Sequence, residues 1–165
     1  MNTSKVSLDT ILAQFRDDAR NNRDLGDRFE RLMVEFFRAD PLYAQLFSDV
    51  WMWNEWPGKG QVGDVGIDLV ARDRNTQEYW AIQCKFFLPE HTLSKPDIDS
   101  FFTALGKPAF SKGLIVSTTD SWGKNALDAL KQTKPVARLG VHDLEQSPID
   151  WSKFDTRKPG KAQIG

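Results

Sequence analysis

An acid, an amide and an amine are spaced along this chain so that one β-hairpin would carry them to a single point. The acid is Asp68 in Gly66-Ile67-Asp68-Leu69-Val70-Ala71; the other two are Gln83 and Lys85 in Trp80-Ala81-Ile82-Gln83-Cys84-Lys85. Ile67 to Ala71 reads as a short apolar strand, Arg72 to Gln77 as turn chemistry, and Glu78 to Phe87 as a strand rich in aromatic and branched residues. Side chains alternate between the faces of a strand. Tyr79, Ala81, Gln83 and Lys85 therefore share one face, and Trp80, Ile82, Cys84 and Phe86 the other. The second set is apolar and belongs against a core. Gln83 and Lys85 are then expected to point outward, where Asp68 meets them.

Such a constellation suits hydrolysis of a phosphodiester. Asp68 and the Gln83 amide oxygen are the hard oxygen donors that Mg²⁺ prefers, and Mg²⁺ keeps waters that a phosphate can displace. The metal would polarise the phosphoryl oxygen and activate a bound water. Lys85 is placed to position that water and to stabilise charge developing in the transition state. An ordinary amphipathic hairpin with a solvated polar face has the same pattern, so the order of the surrounding elements decides between the two.

Those elements begin with Leu8, Ile11, Leu12 and Phe15, the stripe of a helix that covers a core within residues 1–22. Asp27 to Ala39, following Gly26, places Phe29, Leu32, Met33, Phe36 and Phe37 at helical spacing, with Glu30 near the flank of the stripe. Leu46 to Trp56 reads as a strand carrying Trp51, Trp53 and Trp56, residues that either pack in a β-structure or stack on nucleotide bases. Pro57 to Gly66, with Lys59, reads as a flexible glycine-bearing loop beside the site; it lacks the Lys-Ser/Thr ending of a P-loop. Ser94-Lys95-Pro96-Asp97 is a helix start, with Ile98, Phe101, Phe102 and Leu105 on the buried face. Gly113 to Thr118 is a continuous apolar run suited to a strand buried on both sides. A helix over Trp122 to Gln132, capped by Asp120 or Ser121, and a strand over Val136 to Leu139 complete the series.

Asp68, Gln83-Cys84-Lys85, the preceding Gly63-Asp64-Val65-Gly66 and the helix–three strands–helix–strand order together resemble the Mrr-like branch of the PD-(D/E)xK nucleases. In that branch Gln commonly replaces the acid of the last motif. The resemblance extends from about Asp24 to Leu144 and implies an α/β, restriction-endonuclease-like fold, an αβββαβ mixed sheet flanked by helices. It implies a metal-dependent DNA endonuclease in which Asp68, Gln83, Lys85 and Glu30 are catalytic. Asp68, Gln83, Glu30 and the Cys84 backbone carbonyl would hold Mg²⁺, with Mn²⁺ as a substitute. Glu30 as a solvated helix-surface residue is the alternative. Ser117-Thr118-Thr119 and Trp122-Gly123-Lys124-Asn125-Ala126 also look like the family, so Ser117, Thr118, Lys124, Asn125 and Lys59 are candidate DNA contacts; plain helix capping competes for the hydroxyls. Lys95, Lys107 and Lys112 are further candidates for the DNA backbone.

Composition sets the remaining bounds. The chain has 165 residues, 40% of them apolar, enough for one sizeable core and too few for two full domains. A single cysteine excludes an internal disulfide and fits a reducing cytoplasm, and two isolated histidines cannot make a Cys/His zinc site. No apolar run approaches the ~20 residues of a membrane span, and the first residues lack a secretory core. The net charge of −1 gives little attraction for DNA phosphates. That points to delivery by other modules of a longer chain. Residues 1–145 then form the nuclease domain, and 146–165 a linker and tail, with Asp143 to Phe154 expected to have left the core. The Ser-Pro-Ile-Asp-Trp segment resembles the nuclease end of type ISP restriction-modification polypeptides. The implied partners are duplex DNA and translocase, methyltransferase and target-recognition domains, with ATP used only by those domains. A nuclease-like docking module without catalysis, or a modification-dependent or junction-cleaving nuclease, are the alternative readings.

Overall fold

The computed structural model describes residues 7–59, 66–131 and 134–154. Helix α1 (Leu8–Asp18) starts where the Ser7 hydroxyl accepts the Thr10 amide, and it buries Leu8, Ile11, Leu12 and Phe15. Helix α2 (Asn22–Ala39) starts at Asn22, earlier than the expected Asp27. The Asn21 side chain accepts the Asp24 amide at 2.8 Å, and Asp24 in turn holds the Arg28 guanidinium at 3.2 Å, so the first turn is fixed from within. Gly26 is carried inside this helix, at a cost of about 1 kcal/mol against Ala.

A short helix α3 (Pro41–Leu46) was not anticipated. The Asp40 carboxylate accepts the amides of Leu42 and Tyr43 at 2.9 and 3.3 Å, with Pro41 in the first turn. Asp-Pro is a sound helix signal, but the element is too short to show a periodic stripe.

Five strands follow: β1 (Phe47–Met52), β2 (Leu69–Asp73), β3 (Tyr79–Lys85), β4 (Phe110–Ser117) and β5 (Val136–Leu139). They lie in the order β1-β2-β3-β4-β5. The first two pairings are antiparallel and the last two parallel. Parallel neighbours need crossovers; helices α4 (Lys95–Leu105) and α5 (Lys124–Ala129) supply them, and α6 (Val141–Glu145) follows β5.

The sheet is covered on both faces. Trp80 and Ile82 of β3 join Leu69, Leu114 and Val116 against α1 and α2, while Ala81 joins Val70 and Ile115 against α4 and α5. The expected alternation of β3 is present, but its second face is a second core and not water. Gln83, expected to point outward, is buried within this second layer, and Lys85 at the strand end is half-buried. Trp53 and Trp56 are buried, and Trp56 packs on Tyr79 and Phe110 with ring centres 5.2 and 5.4 Å away. Trp53 and Trp56 therefore serve packing, not base stacking, while Trp51 is half-buried beside Tyr79.

Several expected boundaries move. The strand placed at Leu46 to Trp56 ends at Met52 and continues as a 3-10 turn, Trp53–Glu55, while Ile67 precedes β2. The helix placed at Trp122 is confined to Lys124–Ala129, because Trp122 instead bridges to Leu93. Gln132, the loop residues 60–65 and the tail from 155 lie outside the described residues.

The expected linker is a packed part of the domain. Leu144 is fully buried and Trp151 is 5% exposed, and the Trp151 ring stacks on Phe36 at 5.7 Å. The Ser147 hydroxyl donates to the Asp40 carboxylate at 2.6 Å. The segment read as linker packs on the C-terminal part of α2. Leu144, Ile149, Trp151 and Phe154 thus pack with the same core cluster as Phe36, where Asp143 to Phe154 were expected to have left the core.

Candidate functional site

Asp68 immediately precedes the β2–β3 ladder, whose last pair is Leu69↔Ile82. Asp68 is fixed by main chain on both sides: its amide donates to the Ile82 carbonyl at 2.9 Å, and its carbonyl accepts from the Trp53 amide at 2.9 Å. Its carboxylate accepts the Cys84 amide hydrogen at 2.8 Å. The acid is thus held on the end of β3, between Gln83 and Lys85 in sequence.

Gln83 is only 4% exposed. Its amide nitrogen donates to the Gly66 carbonyl at 3.2 Å, while its amide oxygen is buried without a hydrogen-bond partner. A buried carbonyl-type oxygen left unmatched is costly. Gly66 makes this arrangement possible: its φ is +106°, and a Cβ there would lie 2.7 Å from the Ser100 carbonyl oxygen on α4. Glycine alone tolerates both conditions.

Glu30 of α2 comes to the same strand end. Burial, then the carboxylates of Asp68 and Glu30, push the Cys84 thiol well above its ordinary range, so both acids act on this point electrostatically. A thiol held neutral among carboxylates is packing, as its core-facing position implies. Lys85 is half-buried at the last pair of the β3–β4 ladder, opposite Ser117.

Among the described residues no group of three or more His, Cys, Asp or Glu gathers closely enough to hold a metal. A cation here would have to draw on mixed oxygen donors and water. The orphaned Gln83 oxygen beside Asp68 is such a donor, and its chemistry fits a hard, water-retaining ion.

The expected DNA contacts fare differently. Lys124 and Asn125 are exposed at the start of α5, and Lys59 is half-exposed before the undescribed loop. Ser117 and Thr118 are each 1% exposed, and their hydroxyls are turned to the Thr119 and Phe87 carbonyls. Lys95 pairs with Asp99 at 2.9 Å, and Lys112 sits over the Trp80 ring at 5.2 Å. The Thr119 hydroxyl meets the Pro89 and His91 carbonyls, contacts that depend on the chain path after Lys85 and that no local pattern signals.

The Mrr_cat_2 restriction endonuclease family matches residues 38–161. Comparison with curated protein sequences gives no match. Among solved structures, the ATP-dependent type ISP restriction-modification enzyme LlaBIII bound to DNA aligns with a TM-score of 0.76 at 33% identity. That alignment spans 94% of this chain and 9% of LlaBIII. The MspJI restriction endonuclease in complex with a 27-mer oligonucleotide aligns at TM-score 0.54 and 17% identity, spanning 83% of this chain and 30% of MspJI. The DNA modification-dependent restriction endonuclease AspBHI aligns at 0.55 and 16%, spanning 82% of this chain and 33% of AspBHI. The last two are likenesses of fold.

Proposed function

Because this chain belongs to the Mrr_cat_2 restriction endonuclease family, we infer that it hydrolyses DNA phosphodiester bonds with Mg²⁺ at the end of β3. The observation that carries the reading is the buried, unpartnered Gln83 oxygen, next in sequence to the Cys84 amide that holds the Asp68 carboxylate. Asp68 and Gln83 would be the principal ligands, with the Cys84 carbonyl and Glu30 completing the set and Mn²⁺ able to substitute. When bound, the ion would supply Lewis acidity toward the phosphate and lower the pKa of a bound water.

The protein's own groups supply the rest. Asp68 is oriented before substrate arrives, since the Cys84 amide already holds one carboxylate oxygen. Lys85, two residues from Gln83 on the same face, directs its ammonium toward the attacking water and the phosphate oxygens, where negative charge grows in the transition state. A donor aimed at developing charge accelerates the step more than it tightens binding.

With 22 basic and 23 acidic residues, the domain has little general attraction for DNA. Lys59, Lys124 and Asn125 are proposed backbone contacts, and most of the affinity is assigned to further domains of a longer, cytoplasmic polypeptide. Those domains would be an ATP-driven translocase, a methyltransferase and a target-recognition module, by analogy with the type ISP enzyme that this chain matches over 9% of its length.

The test is cleavage of duplex DNA by the full-length protein with ATP, in Mg²⁺, in Mn²⁺ and in chelator. Cutting in either metal, lost in chelator, is expected. Lys124→Ala is expected to weaken DNA binding and leave the saturated rate alone. No cutting in either metal would leave a docking module as the surviving reading.

A further inference from the structure

We propose that Thr118 and Thr119 are positioning residues for Lys85 and not contacts to DNA, an inference that rests on the catalytic reading of Lys85. The β3–β4 ladder stops at the pair Lys85↔Ser117. Beyond it, one main-chain bond and then side chains continue the pairing. The Thr118 amide donates to the Lys85 carbonyl at 3.1 Å. The Thr118 hydroxyl accepts the Phe87 amide hydrogen at 2.7 Å and donates to the Phe87 carbonyl at 2.6 Å. One hydroxyl thereby stands in for the N–H and C=O of an absent strand residue.

The Thr119 hydroxyl lies 3.0 and 2.7 Å from the carbonyls of Pro89 and His91. Main-chain pairing then resumes at Leu93, which donates to the Ser121 carbonyl at 2.9 Å and accepts from Gly123 at 2.8 Å. From α1 the Arg16 guanidinium reaches the Phe87 carbonyl at 3.3 Å and covers the Phe86 ring at 4.8 Å. Phe86 also meets the Phe29 ring edge-on at 5.4 Å.

The residues after Lys85 are therefore held by β4, α1 and α2 together. Lysine carries its amine on a flexible stem, so the backbone is the part of it a fold can fix. The last residue of a ladder is also where strands open most easily. A displacement of about 1 Å near reacting atoms can cost about a hundredfold in rate. Thr118 and Thr119 are 1% and 0% exposed, which places their hydroxyls out of reach of a DNA phosphate and in reach of this segment.

The experiment is single-turnover cleavage of duplex DNA by the full-length protein in Mg²⁺, with DNA binding measured separately. Thr118→Val keeps the shape and loses both bonds of the hydroxyl; Thr118→Ser keeps the hydroxyl. Thr118→Val is expected to slow the saturated rate by about tenfold or more with an unchanged DNA Kd, and Thr118→Ser to restore it. If Thr118→Val does not fold, Thr119→Val carries the same test. Wild-type rates for the valine variants, beside a slow Lys85→Ala, overturn the positioning role alone. A fast Lys85→Ala overturns the catalytic reading beneath it. A weakened Kd with a normal saturated rate returns Thr118 to DNA contact, and a serine variant as slow as valine assigns the effect to packing; either result overturns the proposal.

Discussion

The Cys84 amide donates to the Asp68 carboxylate at 2.8 Å, so the residue between Gln83 and Lys85 holds the acid through its main chain. Asp68 is consequently both a proposed ligand and the cap of a strand end, and its substitutions should separate the two roles.

Asp68→Asn keeps an oxygen for the Cys84 amide and removes the charge. Its unfolding free energy is expected to stay within about 1 kcal/mol of wild type, with cleavage lost. Asp68→Ala also strands the amide and should cost about 1–3 kcal/mol more. Denaturant titration and DNA cleavage on the same preparations check both. Full cleavage by Asp68→Asn would remove Asp68 from the metal set.

For Gln83, the amide oxygen is buried and unmatched. Gln83→Glu adds a second carboxylate one residue from the amide that holds Asp68, and like charges disfavour each other. In chelator this variant should melt below wild type; in Mg²⁺ the order should reverse, with tighter binding by calorimetry. A melting temperature that ignores Mg²⁺ in both proteins would argue for a purely structural amide.

Trp151 stacks on Phe36 at 5.7 Å and is 5% exposed. Trp151→Ala should destabilise the domain by about 3–5 kcal/mol, the usual range for a buried Trp. Thermal unfolding measures it. A change under about 0.5 kcal/mol, typical of surface positions, would return the segment to linker status.

Asp73 is the acid of the β2–β3 turn, accepting the Asn75 and Thr76 amides at 2.9 and 3.1 Å and the Trp80 indole at 3.3 Å. Burial alone would raise its pKa; the Thr76 and Asn75 amides, the Trp80 indole and the Lys112 charge together bring it below the ordinary value. A carboxyl depressed in the fold adds stability that is complete above the unfolded pKa of about 4 and is lost as pH falls through the folded value. Asp73→Asn should therefore be less stable at neutral pH and lose less on acidification. Parallel stability curves for the two proteins from pH 7 to pH 3 would contradict this.

Local chemistry in the sequence determined much of this protein. Period-two alternation sorted the two faces of β3, an unbroken apolar run identified β4 as buried on both sides, and Ser94 with Asp97 set the start of α4, where the Asp97 carboxylate accepts the Ser94 amide at 2.8 Å. Spacing alone placed Asp68 and Gln83 on the two arms of one hairpin, and the Cys84 amide holds the Asp68 carboxylate. Alternation cannot say whether a polar face meets water or a second layer, and α4 and α5 made it a core that buries Gln83. Short elements such as α3 carry no periodic stripe, and α5 was cut back by the Leu93–Trp122 bridge. The destinations of Trp151 and of the Thr118 and Thr119 hydroxyls rest on partners 28 to 115 positions away, as with His91 and Phe36. Such contacts exist only once the chain has closed on itself, which is why the tertiary structure, and not the local pattern, decided them.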